Sequence, residues 1–275
     1  MKHAKQPKPL NELTLLDRFL FDEVMEDPDN MQILLEIILS KDVPLSENTQ
    51  TEKEFRRSTE TRQVKLDVWA IDENQNAYDA EVQKKNTGNL PKRSRLYQGM
   101  IDSKLLLPGV RDFNQLNPVY VILIAPFDLF GYGLYRYTFT NTCKEVPGLE
   151  LGDGATRIFL NTRGTDSVGV SEELIELLHY MEHTNRPVSL LSSDRLNRLR
   201  DNVVRTQENA DTGVKYMQAW EELAEARDEG REEGIKEGVS SLADAVLKLR
   251  KGLSADQLLA EGMQKEVVEL AETLK

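Results

Sequence analysis

Two carboxylates on a predicted β-hairpin have the residue types and the spacing to hold a divalent cation. Apolar and polar side chains alternate along 64–70 and 78–85, on either side of the turn-rich stretch 72–76, which predicts two paired strands. Asp67 falls on the first strand and Glu81 on the second, and alternation places both on the face opposite the apolar one. Mg²⁺ prefers oxygen ligands and is commonly held by one or two carboxylates. We therefore predict that Asp67 and Glu81 bind Mg²⁺ or another divalent cation.

Gln83 and Lys85 follow Glu81 at intervals of two, so the same alternation predicts that they share its strand face. A bound cation can activate water and neutralise charge on a phosphodiester that is being cleaved. The Gln83 amide is suited to orient the attacking water or to contact the phosphate, and Lys85 to supply a positive charge. The catalytic residues predicted for phosphodiester hydrolysis are Asp67, Glu81, Gln83 and Lys85.

Several blocks, in order along the chain, resemble the PD-(D/E)XK nuclease superfamily. More narrowly, they resemble the Rpn-type recombination-promoting nucleases, also called PD-(D/E)XK family transposases. The blocks are LTLLDRFLFDEVMEDPDN, LDVWAIDENQNAYDAEVQKK, LPKRSRLYQGMID, PVYVILIAPFDLFGYGLYRYTF and IFLNTRG. The resemblance implies an α/β fold with a restriction-endonuclease-like core, in which helices flank a mixed sheet. It also implies a metal-dependent DNA endonuclease, although Gln83 stands where the superfamily motif has lysine.

The resemblance also implies that the first helix can add an acid to the metal site. Asp17 and Glu23 are the candidates in that helix, and a solvated helix surface is the alternative explanation for each. Glu52 and Glu54, which precede the hairpin, are rivals for the same role. The sequence leaves the choice among these four acids open.

The segment between Glu81 and Asp102 is basic, although the chain has a formal net charge of −12. Contact with DNA phosphates requires a local positive surface. This segment contains no acid and has five basic residues, which are Lys84, Lys85, Lys92, Arg93 and Arg95. The predicted DNA contacts are Lys84, Lys92, Arg93, Arg95 and Tyr97. A solvated Arg95, and a Tyr97 that packs the helix on the sheet, are the alternatives.

The remaining periodicities predict mixed helices and strands. Apolar residues at helical spacing predict two helices within 13–40, broken near 27–29, and further helices over 92–107 and 171–183. The apolar run 119–125 predicts a central strand, and 133–139 and 157–160 predict two more. The polar stretch 41–63 is interpreted as a lead-in to the hairpin. This pattern lacks one core strand of the α-β-β-β-α-β plan that the resemblance implies.

Aromatic residues crowd the segment 127–139, where core packing is the favoured interpretation and base stacking the alternative. They are Phe127, Phe130, Tyr132, Tyr135, Tyr137 and Phe139.

Composition predicts three regions along the chain. Residues 1–12 are predicted to be disordered, 13–206 to form the nuclease-like domain, and 207–275 to form an acidic helical tail. Glu-Gly pairs recur with a period of four between Glu229 and Gly238, which favours a marginal helix or a linker before three short helices. We predict that the tail forms a homo-oligomer or binds a partner, and a DNA-reading helix-turn-helix is the alternative.

The lone Cys143 and the absence of a long apolar run in the sequence predict a cytoplasmic protein without a membrane partner. The predicted function is cleavage of DNA by a recombination-promoting, transposase-like endonuclease. The alternative is a catalytically inactive nuclease fold that binds DNA or protein in a mobile-element or toxin–antitoxin type system.

Overall fold

The structure is a computed structural model that describes residues 7–46, 50–55, 64–106, 108–186 and 190–274, with the backbone alone at 50–55 and 64–68. The α-helices are α1 Arg18–Met25, α2 Pro28–Leu39, α3 Leu90–Leu105, α4 Glu172–His183, α5 Asp194–Glu208, α6 Ala210–Arg250, α7 Ala255–Ala260 and α8 Lys265–Thr273. The strands are β1 Gln50–Phe55, β2 Val64–Ile71, β3 Ala77–Val82, β4 Val119–Ala125, β5 Arg136–Phe139 and β6 Ala155–Asn161. Two 3₁₀ helices cover Leu10–Glu12 and Phe113–Gln115.

Helices α1 and α2 are separated at the predicted break. The Asp27 carboxylate caps α2 by accepting the Asp29 amide, and Pro28 occupies the first turn, where its missing N–H removes no helical hydrogen bond. Ser40 ends α2 in the left-handed region at φ 53°. The prediction of two helices within 13–40 is therefore confirmed.

Strand β1 corrects the interpretation of 41–63 as a lead-in alone. Its backbone pairs antiparallel with β2, with Thr51 opposite Val68 and Phe55 opposite Val64. The sequence QTEKEF lacks the apolar alternation that marks a half-buried strand, so periodicity does not detect it. β1 is the first strand in the sheet order, where a strand needs only one neighbour, and it supplies the missing strand of the α-β-β-β-α-β plan.

The six strands form one mixed sheet in the order β1-β2-β3-β4-β6-β5. Strands β3, β4 and β6 are parallel, so their C-terminal ends lie along one side of the sheet, which we call the carboxyl edge. The pairs β1–β2, β2–β3 and β5–β6 are antiparallel. Because helices flank this sheet, the predicted α/β fold class is confirmed.

Strand β3 is buried along its whole length. The sequence predicts a core on only one face of the hairpin, but α3 covers the other face as well. There Trp69, Ala77 and Val121 pack with Tyr97 and Ile101 of α3. Asp79 and Glu81 lie on this covered face, because they alternate with the residues of the opposite face. The acids are consequently buried, at 0% and 1% exposure.

Helices α4 and α5 pack against the N-terminal helices α1 and α2. Ser171 caps α4, as predicted, by accepting the Leu174 amide. Helix α5 was not predicted, although Ser193 caps it and Leu196, Leu199 and Val203 form its buried stripe. This cap and this spacing are the signals that identify the helix.

The chain divides into two compact units, Met1–Val214 and Lys215–Lys275. The Glu-Gly repeats lie within helix α6. In the second unit the buried side chains come from the end of α6 and from α7 and α8; they are Ala245, Leu249, Leu258, Val268 and Ala271. Ser254 and Gln257 form the predicted capping box of α7. In the part of the chain that the structure describes, no helix has both the length and the apolar character to span a membrane.

Candidate active site

Asp67 and Glu81 occupy neighbouring positions on paired strands. The β2–β3 ladder includes Val68 opposite Ala80, and Asp67 and Glu81 are the next residues along the two strands. The Asp67 side chain lies outside the described residues. The hairpin therefore brings the two backbones together, as alternation predicts, while the arrangement of the two carboxylates stays a prediction.

Glu81 is buried and carries one ion pair. Arg93 of α3 donates from Nη2 to Oε2 of Glu81 at 2.5 Å. Oε1 of Glu81 is buried and has no hydrogen-bond partner among the described residues. Burial raises the pKa of Glu81, whereas the positive charge and hydrogen bond of Arg93 act to lower it. The charge of Arg18 of α1 and a hydrogen bond with the Tyr97 side chain lower the pKa of Glu81 in the same direction as Arg93.

Arg93 is held over an aromatic ring of its own helix. Its guanidinium lies 5.2 Å from the centroid of the Tyr97 ring, one turn further along α3. Tyr97 is 7% exposed and belongs to the cluster beneath α3, which favours the packing interpretation of this residue. The structure thus places Arg93, a predicted DNA contact, against the predicted metal ligand Glu81.

Lys84 pairs with Asp17, one of the four candidate extra acids. The Lys84 ammonium contacts Oδ1 of Asp17, and Oδ2 accepts the Thr14 amide at 2.9 Å. Glu23 is partly buried on α1, and the side chains of Glu52 and Glu54 lie outside the described residues. This ion pair connects the start of α1 to the segment that follows β3.

Asp22 of α1 is a buried acid that the sequence analysis did not single out. It is 8% exposed, and Arg18 Nε lies 3.6 Å from its Oδ2. Its spacing of three from the buried Met25 places it on the apolar face of α1, which is the signal that identifies it. Arg18 links Asp22 electrostatically to Glu81, because the same guanidinium acts on both carboxylates.

Gln83 and Lys85 lie beyond the end of β3. The Gln83 amide N–H extends the β3–β4 ladder by donating to the Ile124 carbonyl at 2.8 Å. Its side-chain Nε2 donates to the Lys85 carbonyl at 3.0 Å. Because the strand ends at Val82, alternation alone does not fix the side on which Lys85 lies, and its place on the Glu81 face stays a prediction.

Exposed cations lie close in sequence to both members of the Glu81–Arg93 pair. Lys92 and Arg95 flank Arg93 on α3, while Lys84 and Lys85 follow β3 directly. We call Lys84, Lys85, Lys92 and Arg95 the basic rim. The predicted DNA contacts Lys84, Lys92 and Arg95 are thus exposed on two elements that meet at the Glu81–Arg93 pair, and their contact with DNA stays a prediction.

Residues 18–144 match the family model of the PD-(D/E)XK nuclease family transposases. The matched region runs from the start of α1 to beyond β5, and it contains Glu81, Arg93 and the basic rim. The resemblance of the sequence blocks to this family is confirmed, and the family indicates a nuclease-type function. No curated protein and no solved structure matches the chain.

Nucleases of the PD-(D/E)XK family typically use divalent cations. The described residues contain no cluster of three or more potential ligand side chains, but Glu81 fits such an ion. The fit rests on Oε1 of Glu81, a buried carboxylate oxygen without a described hydrogen-bond partner. A buried carboxylate is stabilised only by a proton, a hydrogen-bond donor or a cation. Its single arginine partner occupies the other oxygen, so Oε1 is available to a hard cation.

Proposed function

We propose that this protein is a divalent-metal-dependent DNA endonuclease that hydrolyses phosphodiester bonds and acts in recombination or transposition. The observation that carries the proposal is the buried Glu81 carboxylate, which has one oxygen paired with Arg93 and the other without a described partner. The nuclease-family match over 18–144 supports the reaction class. The proposed substrate is DNA, because the basic rim is positive in a chain of net charge −12.

Glu81 and Asp67 are the proposed metal ligands. A bound divalent cation supplies activation of water and neutralisation of charge on the phosphodiester. Arg93 is a positioning residue in this proposal, because its charge and hydrogen bond favour the ionised form of Glu81 and orient the carboxylate. Gln83 is proposed to orient the water or the phosphate through its amide oxygen or its second N–H, since one N–H donates to the Lys85 carbonyl.

The basic rim is proposed to hold the DNA strand beside Glu81. Its four side chains are exposed. Lys85, Lys92 and Arg95 can approach a phosphate from solvent, whereas Lys84 must first leave its ion pair with Asp17. Exposed phosphate contacts fix the position of the strand without reading its sequence. The proposal therefore predicts binding that weakens steeply as salt increases.

The test is cleavage of supercoiled plasmid with Mg²⁺ and with EDTA. Wild type should nick or linearise the plasmid only with Mg²⁺, and Asp67→Ala and Glu81→Gln should reduce cleavage to background. Glu73→Gln is the matched control, because Glu73 is an exposed acid on the turn at the other end of the same hairpin. Thermal melting of each variant should show that the fold persists.

Wild-type cleavage by either site variant would contradict the assignment of Asp67 and Glu81. If instead the wild type bound DNA and did not cleave it under any divalent cation, the result would favour the inactive nuclease-fold module. These two outcomes are separated by measuring DNA binding in the same samples.

A further inference from the structure

We propose that Tyr132 is a stacking platform for an unpaired nucleobase of the DNA substrate, an inference that rests on the proposed function. The Tyr132 side chain is 78% exposed, so core packing does not account for it. It lies on the loop 126–135 that leaves β4 at the carboxyl edge and leads to β5. The neighbouring Phe127 and Phe130 pack inward, as the sequence analysis favours.

The loop is held by the Asp128 carboxylate. Oδ1 accepts the amides of Phe130 at 3.0 Å and Gly131 at 2.9 Å, and Oδ2 accepts the Gly133 amide at 2.6 Å. The two glycines have φ of 80° and 74°, a region that other residues rarely adopt. A Cβ on Gly133 would also lie 2.8 Å from the Thr165 hydroxyl. The backbone on both sides of Tyr132 is therefore fixed.

Tyr137 closes the same network from β5. Its hydroxyl donates to Oδ1 of Asp128 at 2.7 Å and accepts the amides of Tyr132 and Leu134, each at 3.2 Å. The backbone amide of Tyr132 is thus bonded, while its ring is left in solvent. Because the backbone is already fixed, only the two side-chain torsions of Tyr132 lose freedom when a base stacks on the ring.

The loop is anchored beside the candidate active site. Its inward side chains pack on a cluster that includes Leu123 of β4 and Leu90 of α3. Leu123 is the register partner of Glu81, and Leu90 begins the helix that carries Arg93. The base of the Tyr132 loop is therefore one strand from Glu81, at the same edge of the sheet as the basic rim.

This juxtaposition favours single-stranded or locally unpaired DNA. A basic groove that tracks phosphates, combined with an aromatic ring on which a base stacks, is how proteins hold single strands without sequence preference. Within a duplex both faces of a base are already stacked, so Tyr132 requires a base with a free face. The inferred ligand is an unpaired nucleotide near the scissile phosphate.

The test is the affinity of full-length protein for a fluorescein-labelled single-stranded oligonucleotide, measured by anisotropy in EDTA so that cleavage does not occur. Tyr132→Ala should weaken binding by about 5- to 150-fold, the range that base–aromatic stacking gives. Tyr132→Phe should bind like wild type because it keeps the ring. Phe113→Ala is the matched control: Phe113 is 69% exposed but precedes the N-terminal end of β4, at the opposite edge.

An abasic scan of the oligonucleotide identifies the stacked base. Removing that base should weaken wild-type binding and leave Tyr132→Ala binding unchanged. Equal affinity of Tyr132→Ala, Phe113→Ala and wild type would overturn the platform while leaving the nuclease proposal in place. If the wild-type protein binds no DNA with or without Mg²⁺, both the stacking platform and the nuclease proposal are overturned. The plasmid cleavage assay tests the nuclease proposal independently.

Discussion

Two glutamate–arginine pairs in the Met1–Val214 unit have the same chemistry and different surroundings. Glu81 pairs with Arg93 between β3 and α3, and Glu173 pairs with Arg195 between α4 and α5. The Glu173 side chain is 20% exposed, whereas that of Glu81 is 1% exposed. Arg195 contacts both oxygens of Glu173, and Ser193 donates a further hydrogen bond to Oε1.

The two glutamates consequently differ in pKa and in what they can still bind. The Arg195 hydrogen bonds lower the pKa of Glu173, and burial raises the pKa of Glu81 despite Arg93. Glu173 has no oxygen without a donor, while Oε1 of Glu81 has no described partner. A saturated, partly exposed pair connects two helices, whereas an unsaturated buried pair is available to a ligand.

The two pairs should differ most in the free energy of unfolding that is lost when the arginine is replaced. Arg93→Ala leaves a buried carboxylate without its counter-ion and should lower the free energy of unfolding by about 3 kcal/mol in EDTA. Arg195→Ala should cost about 1 kcal/mol, because water reaches Glu173. Urea unfolding measures both.

Mg²⁺ should restore much of the stability of Arg93→Ala and none of that of Arg195→Ala, since only the Glu81 site is proposed to bind the ion. The double variant Arg93→Ala/Glu81→Gln is the control and should not respond to Mg²⁺. If Mg²⁺ stabilised Arg93→Ala and Arg195→Ala equally, the proposal that only the Glu81 site binds the ion would be wrong.

A smaller difference is expected in the pH dependence of stability. Glu173 has a lowered pKa in the folded state, so its pair stabilises the fold above the ordinary value of 4.5 and this contribution is lost as pH falls below it. Glu81 has a raised pKa, so the folded state holds more protons above 4.5 and stability falls as pH rises through the folded pKa.

Urea unfolding of wild type, Glu173→Gln and Glu81→Gln across a pH series tests these opposite signs. The stability lost in Glu173→Gln should shrink as the pH is lowered. The stability of Glu81→Gln relative to wild type should increase as the pH is raised. If the stability of the two variants relative to wild type changed with pH in the same direction, the different surroundings would not give the two glutamates opposite pKa shifts.

The sequence predicts strongly periodic elements and fails where an element depends on its neighbours. The apolar run of β4 and the Asp27-Pro28 break between α1 and α2 are local signals, and both predictions are confirmed. β1 has no such signal, because a polar strand is defined by its backbone pairing with β2. Periodicity reports which residues are apolar and does not report which backbones pair.

The candidate site likewise has one part that the sequence predicts and one part that depends on tertiary packing. The neighbouring positions of Asp67 and Glu81 follow from a hairpin, which is local in sequence. The Glu81–Arg93 pair depends on α3 packing across the polar face of β3, and a sequence alone does not give that packing. The Asp128 network likewise needs Tyr137 of the next strand to complete it.

A modest effect is expected at the basic rim, the exposed cations that follow β3 and flank Arg93 along α3. Lys92→Ala and Arg95→Ala should each reduce the slope of log affinity against log salt by about one unit per lost phosphate contact. Lys104→Ala, an exposed change in the last turn of the same helix, is the control and should leave the slope unchanged. An unchanged slope in the double rim variant would mean that α3 does not face the DNA.

The smallest effect on either pair is expected from removing the second unit. The predicted boundary at residue 206 would cut α5, which continues to Glu208, and would remove the buried Thr212, so a truncation after Val214 is the better test. It should keep both pairs and the cleavage activity, and light scattering should detect a smaller oligomer. Retention of the full-length oligomer would exclude the tail as the association surface.

The parallel pairing of β3 with β4 has a consequence for the timing of protein synthesis. β3 and β4 are separated by α3, so the surroundings of Glu81 are complete only after the chain as far as Leu123 has emerged from the ribosome. Parallel strands require such a crossover, and their long-range contacts form late in folding. A nascent chain that has made only the β2–β3 hairpin therefore holds the acids but lacks the buried environment, and we expect Glu81 to become buried only after β4 is synthesised.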